Sequence, residues 1–352
     1  MRGAAGRRSL REDLERWGAG AVLFLDMANI RYLTGFSGSD GALVVSGTAD
    51  LLLVDGRYTT QARGQADGLE VREYRDKVEG IASALSEGGW GSVAFESWGM
   101  TFEFYEKLRG RLPGLDLRPL GDDLRRLRAV KDDEEIACLK EAARISREAL
   151  LQTLPLLRPG TEERVLAAEL EYRLRLLGAE DVSFPTIVAS GPNAALPHAR
   201  PGERRIGEGD AVIVDYGAVV KGYRADETRT FFVGDAGREL KDVYEVVREA
   251  QETGIAAVKA GVSCRYVDDV VREYIVSRGW GSYFTHGTGH GVGLEVHEYP
   301  RLGPLSEAVL EEGMVVTVEP GVYLPGRGGV RIEDMVLVGK DGARILTRSP
   351  KG

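Results

Sequence analysis

The most constraining feature of the sequence is a pair of apolar runs on either side of Lys221-Gly222. AVIVDYGAVV occupies residues 211–220 and YRADETRTFFV occupies residues 223–233. Runs rich in β-branched and aromatic residues that flank a short turn predict a β-hairpin. MVVTVEPGVYL (314–324) and GVRIEDMVLV (329–338) predict a second pair of strands. Two such pairs separated by predicted helices indicate an α+β domain rather than a series of parallel βαβ units.

The register of the first hairpin decides whether two aspartates meet. If the turn is centred between Val220 and Lys221, Asp215 and Asp226 are direct cross-strand partners, with Cβ atoms about 4.5–5.5 Å apart. Val-Lys is a poor two-residue turn, so a bulge or a three-residue loop would change this pairing. Asp215 also follows the apolar run AVIV, where a carboxylate should be buried. A buried charge must be paired or must bind a metal.

The first third of the chain has a different pattern. It alternates short apolar runs with amphipathic segments, which predicts a compact α/β domain of about a hundred residues. The predicted strands are 21–26, 42–46, 51–55, 69–74, 92–96 and 115–120. The charged run GDDLRRLRAVKDDEE follows, and within it Asp132-x-x-Glu135 predicts the capping box of a helix. We therefore expect an N-terminal α/β domain over residues 1–125 and a second domain over residues 126–352.

Length, charge and cysteine content restrict the class of protein. A chain of 352 residues is long enough for two buried cores. The formal net charge of −9 argues against binding to nucleic acid or to an anionic membrane surface. The two cysteines, Cys138 and Cys264, form neither a disulfide framework nor a CxxC pair. Because no apolar stretch resembles a signal sequence or a membrane span, the expected location is the cytoplasm.

Two further acids follow apolar runs in the second pair of strands. Glu319 ends MVVTVE and Glu333 lies in GVRIED, so both are expected beside a buried sheet. Arg331 and Glu333 are two residues apart and share one face of their strand, whereas Asp334 points to the other face. Glu333 is therefore a better candidate for a metal ligand than Asp334.

These two glutamates and the two hairpin aspartates together suggest a pair of metal ions. They supply a formal charge of −4, which two divalent cations would balance. One imidazole would complete a mixed oxygen and nitrogen site suited to manganese, cobalt, iron or zinc. Paired cations of this kind activate water and stabilise both ends of a hydrolytic transition state. The residues alone therefore indicate metal-assisted hydrolysis.

Three of the four histidines fall in HGTGHGVGLEVHEYP, residues 286–300. The spacing of His286 and His290 is that of a helical metal site. The interleaved glycines disfavour a helix, however, and favour close approaches between chain segments. His290, at the centre of the glycine run, is the candidate metal ligand. His286, His297 and the remaining His198 are candidates for contacts with substrate.

The second domain resembles the pita-bread fold of the metallopeptidases that include methionine aminopeptidase, aminopeptidase P and prolidase. The matching segments are LPHARPGERRIGEGDAVIVDYGAVVKGYRADETRTFFVG, FTHGTGHGVGLEVHEYP, VVTVEPGVYLP and GVRIEDMVLV. The first domain is similar to the N-terminal domain of the proline-specific members, in NIRYLTGFSGSDGALVV and LLLVDGRYTTQA. The resemblance implies an α+β fold, with a creatinase/aminopeptidase-like catalytic domain preceded by a smaller α/β domain.

The resemblance also implies a role for each candidate residue. It makes five residues the ligands of two metal ions: Asp215, Asp226, His290, Glu319 and Glu333. Asp226 and Glu333 would bridge the ions, and Glu319 would also carry a proton to the leaving nitrogen of proline. The residues expected to contact the substrate or to line its pocket are His198, His286, His297, Tyr323 and Arg331. Of these, His198 and His297 would stabilise the oxyanion of the tetrahedral intermediate.

The activity that the resemblance implies is hydrolysis of the bond between an N-terminal residue and proline. Aminopeptidase P, acting on peptides with proline in the second position, is the first expectation because of FSGSDG in the first domain. The alternatives are prolidase, which is restricted to dipeptides, and a pita-bread module that only binds. The complete ligand set argues against creatinase, and the first domain argues against methionine aminopeptidase. The expected cofactors are two divalent metal ions, manganese or cobalt first and zinc or iron as alternatives, and the expected assembly is a homodimer.

Overall fold

The computed structural model describes residues 3–66 and 68–352 of the chain. Its internal contacts divide the protein into two compact units, Met1–Arg128 and Ala129–Gly352. Within the described residues, the first unit contains one sheet and the second contains four smaller ones. No helix in this part of the chain combines the length and the apolar character that a membrane span needs.

The first unit is built on a single mixed sheet. Its strands are β1 (Ala21–Phe24), β2 (Ala42–Ser46), β3 (Asp50–Asp55), β4 (Glu70–Tyr74), β5 (Ser92–Glu96) and β6 (Asp116–Leu120). Its helices are α1 (Gly3–Trp17), α2 (Met27–Thr34), α3 (Thr59–Gln65), α4 (Lys77–Gly88), α5 (Phe102–Arg111) and α6 (Asp122–Arg125). The strand order is β4-β3-β2-β1-β5-β6, and β2 runs antiparallel to both of its neighbours while the other pairs are parallel. The predicted α/β architecture is confirmed.

The core of the first unit lies between its central strands and two of its helices. β1 and β2 are buried along their whole length, which explains why their sequences are continuous apolar runs without polar alternation. Ile81 and Leu85 of α4 and Leu108 of α5 belong to one hydrophobic cluster with Leu23 and Val44 of these strands. The amphipathic helices thus bury their apolar faces on the sheet.

The second unit combines long helices with short antiparallel strands. Its helices are α7 (Asp133–Thr153), α8 (Glu163–Leu176), α9 (Gly237–Ala257) and α10 (Cys264–Ser277). Its strands are β7 (Ile187–Ser190), β8 (Ala211–Tyr216), β9 (Val219–Val220), β10 (Tyr223–Arg224), β11 (Glu227–Phe232), β12 (Gly289–Gly291), β13 (Glu298–Leu302), β14 (Val315–Val318), β15 (Gly321–Leu324), β16 (Gly328–Arg331), β17 (Asp334–Val338) and β18 (Ala343–Ile345). The sheet orders are β11-β8-β7, β10-β9, β13-β12-β14-β17-β18 and β15-β16. This is the α+β architecture that the strand pattern predicts.

Helix α7 begins with the capping box that the sequence predicts. Asp132 Oδ1 accepts a hydrogen bond from Glu135 N at 2.9 Å, and Glu135 Oε2 accepts one from Asp132 N at 2.9 Å. Each side chain thereby satisfies a backbone N–H group that has no partner inside the helix. Ile136, Leu139 and Leu150 are buried, so the helix turns its apolar stripe towards the core of the second unit.

The hairpin register that would pair Asp215 with Asp226 is wrong. The turn is centred on Lys221 and Gly222, whose φ angles are 49° and 82°. A two-residue turn of this kind needs positive φ at both central positions, and the right-handed strand twist favours it. Asp215 consequently pairs with Thr228, and Asp226 lies between β10 and β11 rather than inside a strand. The two aspartates still reach the same cavity, by different routes.

The second predicted hairpin is present but interrupted on both sides. β14 pairs with β17 and β15 pairs with β16, and the same register runs through both pairs. That register places Glu319 opposite Glu333 in the break between the two sheets. Glu319 N donates to Thr288 O at 2.8 Å and Glu333 N donates to Thr228 O at 3.1 Å, so neither N–H joins the hairpin. Because the hairpin is interrupted here, both carboxylates face the same cavity.

Candidate metal centre

A single cavity of about 890 Å³ in the second unit is lined by every residue that the sequence predicts for the site. These residues are His198, Asp215, Asp226, His286, His290, His297, Glu319, Tyr323, Arg331 and Glu333. Asp334 does not line this cavity, which agrees with its predicted orientation away from Arg331 and Glu333. Residues from five separate segments of the chain therefore converge on one place.

The potential ligand atoms form a compact group. One side-chain ligand atom each from Asp226, His290 and Glu333 lie within 4.8 Å of one another. His290 Nε2 lies 3.6 Å from Asp226 Oδ2 and 3.3 Å from Glu319 Oε1. Its other ring nitrogen, Nδ1, lies 3.0 Å from Gly291 O, an acceptor that places a proton on Nδ1. This contact orients Nε2 towards the carboxylates, as in metal-binding histidines.

The electrostatics of the group favour a bound cation. Burial raises the pKa of Asp226 well above its usual value, and the charge of Asp215 adds to the rise. Burial and the charge of Asp226 likewise raise the pKa of Glu333. Burial lowers the pKa of His290 and raises that of Glu319, but their mutual hydrogen bond and charge attraction outweigh it, giving values of about 9 and about 2. The protein's own cations therefore leave this carboxylate cluster incompletely neutralised.

The two carboxylate oxygens of Asp215 differ in their partners. Its Oδ2 accepts a hydrogen bond from Arg331 Nη2 at 2.6 Å, whereas its buried Oδ1 has no hydrogen-bond donor among the described residues. A buried carboxylate oxygen without a donor is costly unless a cation binds it. Carboxylate oxygens together with one imidazole are a donor set for divalent metal ions. The residues present therefore fit the binding of such ions.

Arg331 connects the carboxylate cluster to the predicted substrate side of the cavity. Its guanidinium is buried, and Nη1 donates to Tyr323 OH at 3.0 Å. Tyr323 OH in turn lies 2.9 Å from His286 Nε2. Arg331, Tyr323 and His286, which the sequence predicts as lining residues, thus form one hydrogen-bonded chain that begins at Asp215. This chain fixes the side chains on one wall.

The glycines around His290 are required by close backbone contacts. A Cβ atom on Gly289 would lie 2.0 Å from Thr317 O, and one on Gly291 would lie 2.4 Å from Tyr299 O. His290 itself lies in β12, between β13 and β14. The segment is therefore a strand and turn, as predicted, and the helical spacing of the first two histidines has no structural meaning.

The remaining histidines lie around the ligand group. The rings of His297 and His290 meet edge to face with their centroids 4.3 Å apart. Burial lowers the pKa of both His286 and His297, and for His297 the neighbouring His290 lowers it further. Both imidazoles are therefore neutral near pH 7, when each ring carries one N–H donor. His198 is exposed at the edge of the same cavity.

Helix α10 holds the loop that carries His286. Asp268 Oδ1 accepts hydrogen bonds from both the backbone N and the hydroxyl of Thr288, each at 2.9 Å. Arg272 pairs with Asp268 one turn away and donates to His286 O at 2.7 Å. Sequence reasoning missed this support, although an aspartate and an arginine four residues apart on a predicted helix are a recognisable signal.

Two arginines in the cavity also escaped prediction. Arg200 and Arg301 line it and are exposed. Neither guanidinium group forms a hydrogen bond or an ion pair with any described part of the chain. Arg301 is the direct strand partner of His290, and Arg200 follows His198 by two residues, so proximity to predicted histidines was the available signal. The apolar part of the wall includes Phe184, Pro185, Ile187, Val296, Leu302 and Leu305.

Comparison with known proteins identifies the family to which the chain belongs. Residues 137–340 match metallopeptidase family M24, and residues 7–130 match the Creatinase/Prolidase N-terminal domain. A Xaa-Pro dipeptidase of Pyrococcus horikoshii is 36% identical over 332 residues, which cover 94% of this chain and 93% of the relative. The structure of a Xaa-Pro dipeptidase from Bacillus anthracis has 40% identity and a TM-score of 0.95, covering 99% of this chain and 98% of the other.

An enzyme with the other predicted specificity is also similar. The structure of an X-Pro aminopeptidase from Thermotoga maritima MSB8 has 36% identity and a TM-score of 0.91, with 98% of each chain covered. The predicted pita-bread fold and the N-terminal α/β domain are confirmed by these matches. The family also implies divalent metal ions at the carboxylate cluster. The chain therefore belongs to metallopeptidase family M24, and it is a metallo-exopeptidase.

Proposed function

We propose that this enzyme is a Xaa-Pro dipeptidase, which releases free proline from dipeptides. The observation that carries the proposal is the pair of unpartnered guanidinium groups, Arg200 and Arg301, in the same cavity as the carboxylate cluster. A Xaa-Pro dipeptide has a free carboxylate on its proline, next to the scissile bond, and arginine is the preferred partner of a carboxylate. Proline inside a longer peptide has no charge at that position.

The relatives support the same choice between the two predicted specificities. Those from Pyrococcus horikoshii and Bacillus anthracis are named Xaa-Pro dipeptidases. The prediction from the sequence placed aminopeptidase P first and the dipeptidase second. The arginines and the names of these relatives reverse that order, although the Thermotoga maritima structure carries the aminopeptidase name.

The proposed ligands of two divalent metal ions are Asp215, Asp226, His290, Glu319 and Glu333. Three of them already hold their ligand atoms within one small volume, and the free Oδ1 of Asp215 supports the fourth. Asp226 and Glu333 are proposed to bridge. When bound, divalent ions polarise the scissile carbonyl and activate a water molecule at neutral pH. Manganese and cobalt are the first candidates, with zinc and iron as alternatives.

The protein's own groups handle the protons of the reaction. The pKa of Glu319 lies at about 2, so this carboxylate is ionised at neutral pH and accepts a proton from the attacking water. The nitrogen of an Xaa-Pro bond carries no hydrogen, so it needs a proton to leave as an amine, and Glu319 supplies it. The imidazoles of His198 and His297 are proposed to donate hydrogen bonds to the oxyanion.

A substrate panel tests the proposed specificity. The metal-free enzyme is reloaded with manganese or cobalt and is given Ala-Pro, its amide Ala-Pro-NH2, and the tripeptide Ala-Pro-Ala. We expect Ala-Pro to have a kcat/KM at least about 10-fold above the other two, since they lack the proline carboxylate that the arginines would bind. Tripeptide cleavage as efficient as dipeptide cleavage would overturn the dipeptidase proposal and would support aminopeptidase P.

A further inference from the structure

Thr228 is the direct strand partner of Asp215 and contacts Glu333 at two points. Its hydroxyl donates to Glu333 Oε2 at 2.7 Å, and its backbone carbonyl accepts from Glu333 N at 3.1 Å. The residue is fully buried on β11. A neutral threonine in an apolar strand gives no signal in the sequence, and none of the predicted roles involves it.

The direction of the hydroxyl proton is determined by its neighbours. Arg331 Nε donates to Thr228 Oγ1 at 3.2 Å, and an arginine has no acceptor. A hydroxyl has one proton, so Thr228 accepts from Arg331 and donates its own proton to the Glu333 oxygen at 2.7 Å. The side chain of Thr228 therefore contacts only one of the two carboxylate oxygens of Glu333, Oε2. Rotation of this carboxylate about the last side-chain bond is restricted, and Oε1 keeps its capacity to bind.

The next residue anchors the backbone on which this contact depends. Arg229 is 1% exposed, and its guanidinium uses five N–H groups on five acceptors. Two of these acceptors are the carbonyl oxygens of Thr228 and Glu333. The others are Glu227 Oε1, Asp334 Oδ1 and Ser349 O. The two segments that carry Thr228 and Glu333 are thus cross-linked by a side chain with no free donor.

We propose that Thr228 is a positioning residue that fixes the carboxylate of Glu333 in a single orientation for the bridging of two cations. The inference rests on the proposed ligand set and adds to it a residue that touches no substrate. In many metal sites, hydrogen-bond partners of this kind determine ligand orientation, and their loss weakens metal affinity about 10- to 100-fold.

The chain offers a matched control two residues along the same strand. Thr230 is also fully buried and faces the same side of β11. Its hydroxyl donates to Arg331 O at 2.8 Å and accepts from Arg331 N at 3.1 Å. Both hydrogen bonds go to backbone atoms, so Thr230→Val removes comparable hydrogen bonds without removing one to a carboxylate.

The experiment compares Thr228→Val, Thr228→Ser and Thr230→Val with the wild-type enzyme. Manganese binding is measured by calorimetry, the cobalt form by its visible absorption, and the unfolding temperature in the presence of EDTA. We expect Thr228→Val to weaken at least one manganese site about 10- to 100-fold and to change the cobalt spectrum. Thr228→Ser keeps the hydroxyl, so its manganese affinity should stay within about 3-fold of that of the wild-type enzyme, a smaller change than in Thr228→Val. Thr230→Val should lose stability but keep the wild-type affinity and spectrum.

Each other outcome overturns a definite part of the proposal. Wild-type affinity in Thr228→Val, or equal losses of affinity in Thr228→Val and Thr230→Val, would show that Thr228 has only a structural role. Absence of manganese uptake by the wild-type enzyme would overturn the ligand set and this inference together. Manganese uptake with the expected order of variants, but without cleavage of Ala-Pro, would support the inference and overturn the proposed substrate.

Discussion

His290 and Arg301 face each other directly across the antiparallel pair β12 and β13. Directly paired residues project to the same face of a sheet, with Cβ atoms about 4.5–5.5 Å apart. One strand pair therefore presents the imidazole proposed to bind metal and a free guanidinium to the same cavity. A proline carboxylate is separated from its scissile bond by a single carbon, so recognition and chemistry need groups this close together.

The first prediction concerns this arginine. Arg301→Met removes the charge but keeps a long, flexible side chain. We expect the KM for Ala-Pro to rise about 10- to 100-fold, because a hydrogen bond to a charged group contributes about 1.5–3 kcal/mol. The kcat/KM for Ala-Pro-NH2 should stay unchanged, since this substrate has no carboxylate. Steady-state kinetics on both substrates at saturating manganese measures the difference.

The control for Arg301 is an arginine on the surface of α9. Arg238 does not line the cavity, and its one ion pair among the described residues is an exposed one with Asp242. Arg238→Met should leave both substrates unaffected. If Arg301→Met lowers the turnover of the dipeptide and of its amide equally, Arg301 does not bind the proline carboxylate, and Arg200 becomes the remaining candidate.

The second prediction tests the close packing around His290. A methyl group in Gly289→Ala would meet the backbone oxygen of Thr317 at 2.0 Å, so β12 and β14 must separate. We expect a loss of about 1–3 kcal/mol in the free energy of unfolding and weaker manganese binding, since His290 is the next residue. Gly303→Ala is the matched control, because its added methyl meets only a Cα atom at 3.9 Å. Unchanged manganese binding in Gly289→Ala would contradict this account.

Some of the candidate ligands could be predicted from the sequence, because an acidic residue directly follows an apolar, strand-forming run. Asp215 and Glu319 each follow a β-branched run, and a strand of this composition places the next carboxylate at the edge of a buried sheet. The glycine run around His290 was equally informative, since only close contacts explain so many glycines in one segment. These signals are local, so they can be recognised before the register of the strands is known.

The features that were missed depend on details that the residue pattern does not contain. The hairpin register depends on the positive φ angles of Lys221 and Gly222, and lysine is not a residue that favours such an angle. The break at Glu319 is clear only when both strands are present, although Pro320 removes a donor there. Thr228 and Arg301 look like ordinary strand residues until their partners across the sheet are known.

The third prediction concerns a buried carboxyl group in the first unit. Burial outweighs hydrogen bonds from Asp26, Asn29 and Leu25 and raises the pKa of Glu96 to about 7. The folded state therefore binds a proton between pH 4.5 and about 7 that the unfolded state does not bind. The free energy of unfolding of this unit should fall as the pH rises through that interval, by up to about 3 kcal/mol.

Urea unfolding in EDTA at pH 5 and pH 7.5 measures this dependence. Glu96→Gln, which cannot ionise, should show a smaller decrease between the two pH values than the wild-type protein. Glu103→Gln is a suitable control because Glu103 lies on the exposed surface of α5. If Glu96→Gln and the wild-type protein lose stability equally over this interval, the three hydrogen-bond donors hold the carboxylate ionised.

The fourth prediction separates the stability of the fold from the binding of cations. Burial and the charge of Asp215 raise the pKa of Asp226 well above its usual value, so an ionised Asp226 destabilises the metal-free protein. Asp226→Asn should therefore have a higher unfolding temperature than wild type in EDTA at pH 8. This advantage should shrink as the pH falls and Asp226 becomes protonated. With manganese the order reverses, because the variant lacks a ligand.

Metal content and activity complete the test of Asp226. Elemental analysis should show a fall from two manganese ions per chain to one or fewer in Asp226→Asn, with kcat/KM on Ala-Pro lower by more than about 100-fold. Asp235→Asn is the control, since Asp235 is exposed, pairs with Lys241 and accepts a hydrogen bond from Gly237 N that asparagine can also accept, and it should match wild type in all three measurements. If Asp226→Asn instead keeps two ions and full turnover, Asp226 is not a ligand. If it is less stable than wild type in EDTA, the crowding of carboxylates does not limit the stability of the metal-free protein, and Asp226 contributes to the fold through its ion pair with His290.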